Sequence, residues 1–121
     1  MKIIPIMKCR NMERSLFFYT NILDFELKYP DISATDWVID LINEDAEIQL
    51  SIHRGDSVFG AAVNVRVGNV DELFKKYLGR GLKVPSKGGV HGGPLDQTWG
   101  MREFYVDDPN GNTLRFGMPI E

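Results

Sequence analysis

Glu47, Gln49 and His53 share one parity in an alternating run, and carboxylate, amide and imidazole are the side chains of acid–base or metal chemistry. Same-face residues on one strand lie about 6.5–7 Å apart, too far to converge on one ion without a second strand. His53 therefore also reads as a surface histidine at a strand end. Asp40, Glu47 and Glu103 are candidate general bases, but carboxylates on a solvated face are ordinarily hydrated or paired with arginines such as Arg66, Arg102 and Arg115. Cys9, the lone cysteine, has no histidine near it in sequence to activate it. His91 sits among Gly88, Gly89, Gly92 and Gly93. No Gly-Lys-Ser/Thr follows and no helix begins there, so the loop is no phosphate cradle; a mobile loop histidine or a lid beside a cavity is expected. Trp37 and Trp99 are either core residues or flat walls for a heteroaromatic ligand.

The elements that must position these groups show an internal repeat. Asn11-Met12-Glu13-Arg14 with Tyr19 matches Asn69-Val70-Asp71-Glu72 with Tyr77 at a constant offset of 58 residues. Met12, Leu16, Tyr19 and Leu23 fall on one face of a helix, as do Val70, Leu73, Phe74, Tyr77 and Leu78. Asn11 and Asn69 read as N-caps, and Gly79 and Gly81 as the stop of the second helix. A strand precedes each helix, at Ile3–Cys9 and Ala61–Val67. Three strand-like runs follow each: Phe25–Tyr29, Trp37–Asn43 and Glu47–His53, then Leu82–Pro85, Met101–Asp107 and Thr113–Met118. Asp108-Pro109-Asn110-Gly111-Asn112 is a turn between the last two.

The reading is an α+β domain over 1–121, built from two βαβββ modules at roughly 1–54 and 60–121 joined by Arg54–Phe59. One helix per module covers one sheet face only. The other face carries polar side chains that a dry core would not tolerate unpaired, so it is expected to be a wet, concave binding surface.

Ser15-x-x-Phe18-Tyr19 with Leu23-Asp24-Phe25 resembles the first helix of the vicinal-oxygen-chelate superfamily, which holds glyoxalases, bleomycin resistance proteins and dioxygenases. Thr98-Trp99-Gly100-Met101-Arg102-Glu103-Phe104-Tyr105-Val106, followed by Asp108-Pro109-Asn110-Gly111-Asn112, is similar to bleomycin resistance proteins in particular. The resemblance implies paired modules forming a partly closed, curved sheet around a cavity. It further implies a homodimer, with exchange of the N-terminal strand shaped by Pro5. In metal-dependent members four ligands come from the first and last strand of each module. Carried over by position, those places fall on Ile4, Gln49, Ala62 and Arg115. Isoleucine and alanine have no donor atom and a guanidinium never accepts, so no metal centre and no cofactor is expected.

The resemblance therefore implies a metal-free protein that sequesters a small molecule, bleomycin-like in one version, with Trp37, Gln49, Asn64, Arg66, Trp99, Arg102 and Arg115 at the ligand. The alternatives are a lyase or isomerase using the same pocket, and a partner-binding regulatory dimer. Composition narrows the setting. Of 121 residues, 14 are Lys or Arg and 17 Asp or Glu, interspersed, which argues against nucleic acid. No apolar run approaches the roughly 20 residues of a membrane span. Met1–Met7 is too short and too soon interrupted for a secretory signal. One cysteine forms no internal disulfide, so the cytoplasm is expected.

Overall fold

The computed structural model describes residues 1–56, 59–86 and 88–121. Ser57 and Val58, within the expected linker, lie outside the described residues. The chain forms β1 (Ile6–Lys8), α1 (Met12–Phe17), β2 (Glu26–Leu27), β3 (Val38–Asn43) and β4 (Ala46–Ser51). It then forms β5 (Ala62–Arg66), α2 (Val70–Gly79), β6 (Leu95–Asp96), β7 (Met101–Asp107) and β8 (Thr113–Pro119). Among the described residues the strands make two four-stranded mixed sheets, β1-β4-β3-β2 and β5-β8-β7-β6, and no closed barrel. Each is one repeat: a parallel pair on one side, then two antiparallel ladders. They belong to two compact units, Met1–Ala61 with Asp108–Asn112, and Ala62–Asp107 with Thr113–Glu121.

Both helices start at the expected asparagines. Asn11 Oδ1 accepts from the Arg14 amide at 2.9 Å and Asn69 Oδ1 from the Glu72 amide at 3.1 Å, satisfying amides the helix cannot. The first helical segment ends differently from the second. After Phe17 it widens into a π-helical turn, Phe18–Ile22, which turns Tyr19 fully inward.

One expected strand is absent. Leu82–Pro85 is irregular, and the equivalent of β2 is β6, ten residues further on, paired with β7 through Leu95–Glu103 and Asp96–Arg102. Pro85 has no N–H to give a ladder, whereas Leu95-Asp96 has two.

In the first unit Met7, Ile39, Leu41, Ile48 and Leu50 are buried on the helix side, alternating with the polar register of β3 and β4. In the second, Phe104 and Phe116 stack at 5.1 Å between their centroids, and Tyr77 of α2 packs edge-on against both. The Asp108–Asn112 turn is built into the first unit. Tyr19 Oη donates to Asp108 Oδ2 at 2.7 Å, and Asn112 Nδ2 donates to the Lys8 carbonyl at 2.9 Å. Asn112 Oδ1 accepts from the amides of Gly60 and Ala61. Burial, together with the Asp108 charge, pushes the Tyr19 hydroxyl well above the usual phenol range, so it stays neutral and donates.

Candidate functional site

The helix-free face of each sheet carries the polar residues, and the two faces treat them differently. In the first unit they are consumed by one another. Glu47, buried, accepts from Lys2 at 2.9 Å and from Lys28 at 3.1 Å, and these cations hold its carboxyl below the usual glutamate range. Gln49 Nε2 donates to Asp40 Oδ1 at 3.0 Å, and Ser51 Oγ to Asp56 Oδ2. None of these is a base waiting for a substrate. Among the described residues, no buried side-chain nitrogen or oxygen lacks a partner.

The second unit leaves its face open. Register places Asn64, Arg115 and Tyr105 in one row across β5, β8 and β7, and Arg66, Gly117 and Glu103 in the next. Facing residues in neighbouring strands share a side of the sheet, about 4.8 Å apart along the ladder. Asn64, Arg66 and Arg115 are exposed, while Glu103 is buried. The Arg115 guanidinium lies over the Tyr105 ring, 4.9 Å from its centroid. Tyr105 Oη donates to Glu103 Oε1 at 3.3 Å. Burial first, and then the Glu103 charge, raise the Tyr105 hydroxyl above the usual phenol range, with Arg115 pulling the other way. Gly117 makes a notch in the second row, between Arg66 and Glu103. A Cβ there would stand 3.1 Å from Glu103 Cγ and 3.3 Å from Arg66 Nη1. The result is a shallow surface with two cations, one amide, a neutral phenol and a recessed carboxylate, suited to holding a polar ligand by hydrogen bonds to fixed groups.

Of the seven residues expected at a ligand, Asn64, Arg66 and Arg115 come together on this face. Arg102 does not. One residue before Glu103, it has the opposite parity and turns to the helix side. There Nη2 meets Asp71 of α2 at 2.9 Å and Nη1 meets Asp96 at 3.0 Å. The pairing lowers the Asp71 carboxyl and raises Arg102 further. Gln49 belongs to the first sheet and is held by Asp40. Trp37 and Trp99 are neither of them core: they are 62% and 60% exposed, Trp37 just before β3 with its ring 5.6 Å from that of His53, and Trp99 in the turn before β7. Glu103 and Tyr105 are the members of the cluster that the expected set leaves out. The alternation of β7 pairs their parity with Arg115 and could have found them.

The four positions onto which the sequence resemblance carries metal ligands have side chains that do not suit a cation. Ile4 and Ala62 present hydrocarbon, Arg115 a positive charge, and the Gln49 amide is engaged by Asp40. Among the described residues no group of three or more His, Cys, Asp or Glu could hold an ion. Cys9 is buried, and burial raises its thiol above the ordinary range, which removes the thiolate that nucleophilic chemistry requires. No helix among the described residues is long and apolar enough to cross a membrane.

A family model described as a glyoxalase superfamily protein matches residues 1–121. Among solved structures, a bleomycin resistance determinant encoded on transposon Tn5 superposes with a TM-score of 0.78 at 20% identity, covering 98% of each chain. A bleomycin-binding protein complexed with bleomycin gives 0.76, at the same identity and coverage. Lactoylglutathione lyase from Agrobacterium tumefaciens gives 0.72 at 15% identity, covering 97% of this chain and 92% of that one. At these identities the likeness is one of fold. No curated protein sequence matches.

Proposed function

The chain belongs to the glyoxalase superfamily and has the glyoxalase/bleomycin-resistance fold, and from that premise we propose that it binds a small organic molecule without a metal, sequestering it rather than transforming it. The observation that carries the reading is the side chains at the family's ligand places: hydrocarbon at Ile4 and Ala62, and a cation at Arg115. In the second unit the open face around Gly117 would supply the recognition groups; separately, Trp99 of that unit and Trp37 of the first each offer an exposed ring on which a flat ligand could stack. In this proposal the protein is a cytoplasmic homodimer, and bleomycin-like drugs are the first ligand class to try. The fold likeness to a protein complexed with bleomycin supports that choice.

A second reading, a lyase or isomerase, has one observation in its favour. Glu103 is a buried carboxylate beside a phenol and next to Arg66, an arrangement that general-base chemistry uses. The two are separated by titrating the protein with bleomycin and a panel of heteroaromatic compounds, following tryptophan fluorescence and product together. Saturable quenching with the ligand recovered unchanged is the expected result. Turnover that disappears in Glu103→Gln would replace sequestration with catalysis. No response to any compound would leave the partner-binding dimer as the better reading.

A further inference from the structure

We propose that Asn110 is the chain's site of spontaneous deamidation, restrained by the fold, and that its modification unlatches the first unit. The inference is independent of the function proposed above.

The reaction needs an asparagine carboxamide and an unhindered backbone nitrogen on the residue that follows. The Gly111 nitrogen attacks Asn110 Cγ, its proton leaves with Nδ2 as ammonia, and a five-membered succinimide closes. Water then opens the ring. Addition at Cγ leaves aspartate; addition at the backbone carbonyl leaves isoaspartate, with the chain running on through the side chain. The other asparagines precede Met12, Ile22, Glu44, Val65, Val70 and Thr113, whose side chains crowd the attacking nitrogen; Asn110 alone precedes a glycine. A Cβ on Gly111 would meet nothing within 4 Å, so the space beside it is open.

The folded turn restrains both reacting partners. The Gly111 N–H donates to the Asp108 carbonyl at 3.2 Å, and the Asn110 N–H donates to Asp108 Oδ1 at 2.8 Å. The carboxamide is tied at both ends. Oδ1 accepts from the Arg10 amide at 3.1 Å, and Nδ2 donates to Oγ of the fully buried Ser15 at 3.0 Å. Closing the ring swings Cγ onto the Gly111 nitrogen and has to break these bonds first. The chain therefore reacts from a locally opened state, whose population sets the rate.

Neither product fits the turn. Aspartate at this position loses the donor to Ser15 and adds a second carboxylate to a turn that already holds Asp108. Isoaspartate inserts one more backbone atom just ahead of Asn112, whose four hydrogen bonds hold the turn to Lys8, Asp108, Gly60 and Ala61. An opening that ends in reaction is thus one-way, because the modified chain cannot rebuild the latch.

The test incubates the full chain in mildly alkaline buffer, folded and in denaturing urea side by side, and follows each asparagine by peptide mapping and mass spectrometry. Asn110 should be modified ahead of the other asparagines in both samples. Its rate in the folded chain should be at least about tenfold below that in urea, since only the opened fraction reacts. Ser15→Ala removes one anchor and should raise the folded rate several-fold while leaving the rate in urea unchanged. Folded chains that have reacted, separated by charge, should melt below the parent. Equal rates with and without urea, first modification elsewhere, a folded Ser15→Ala that reacts no faster, or a modified chain that melts with the parent would each overturn the proposal. The comparison of folded and unfolded parent involves no substitution, so it decides the matter even where Ser15→Ala fails to fold.

Discussion

Asn112→Ala should be among the most damaging single substitutions in the first unit, and its size can be worked from the contacts. The side chain makes four hydrogen bonds: two given, to the Lys8 carbonyl and Asp108 Oδ2, and two taken, from Gly60 and Ala61. Gly60 is exposed and Ala61 half-buried, so water can replace the second pair at little cost. The first pair is lost outright. A neutral bond contributes about 1 kcal/mol and one to a charged carboxylate about 1.5–3 kcal/mol, giving roughly 2.5–4 kcal/mol in all. At about 2.1 cal/mol/K of unfolding entropy per residue, the 121-residue chain has a slope near 0.25 kcal/mol per degree. Tm should fall by about 10–16 °C, measured by calorimetry together with urea unfolding. Asn112→Asp is the discriminating companion. It keeps the volume and the acceptor but sets a second carboxylate 2.8 Å from Asp108, so it should lose at least as much. A loss under about 1 kcal/mol for Asn112→Ala, or a milder Asn112→Asp, would show that shape and not hydrogen bonding holds this turn.

Three further outcomes follow from the same contacts. Tyr19→Phe removes a hydroxyl–carboxylate bond and should cost about 1.5–3 kcal/mol near pH 7. Because the folded hydroxyl titrates above its unfolded value near 10, its contribution is complete below that pH and fades above it; the parent's alkaline unfolding limb should flatten in the variant, and an unchanged limb would refute the assignment. Glu47 runs the other way. Its folded carboxyl is depressed, so its stabilisation is present above the ordinary glutamate value of about 4.3 and lost as pH falls. Glu47→Gln should therefore show less acid destabilisation than the parent in melts between about pH 5 and 2. Trp37→Ala, at an exposed position, should shift stability by no more than about 0.5 kcal/mol while weakening any ligand that stacks on the ring by about 2 kcal/mol. A large drop in Tm with unchanged binding would return Trp37 to a structural role.

Periodicity made the framework legible. The match of Asn11 and Tyr19 with Asn69 and Tyr77 located both helices and their caps, and alternation located β3, β4, β7 and β8 to within one or two residues. It failed where elements are short and held by tertiary contacts. Leu82–Pro85 has the composition of a strand, yet Pro85 and the lack of a partner leave it irregular, and two residues of β6 make the ladder instead. The site was legible by face but not by partner. Alternation sets Asn64 and Arg66 on one face, and the β5–β8 register adds Arg115 beside Asn64; the pairing of Arg102 with Asp71 of α2 crosses 31 positions and has no local sequence signal. That Glu47 would be closed off by Lys2 and Lys28 has no sequence signature, since the three residues lie far apart in the chain.

The Asp108–Asn112 turn has a consequence for biosynthesis. The first unit is discontinuous: its last piece follows its first 61 residues only after β5, α2, β6 and β7 have been made. Asn112 closes on Lys8 across 104 positions, and Tyr19 waits across 89 for its carboxylate. At roughly 5–20 residues per second, a ribosome needs several seconds to supply that piece, during which β1 and the first helix have strands to pack on but no partner for the buried phenol. Both units should therefore close late, the first once Asn112 has emerged and the second only after β8, which begins at the next residue, has followed it. Nascent chains stalled at residue 61 should remain protease-sensitive, and protection of the Tyr19 region should appear only once Asn112 has emerged.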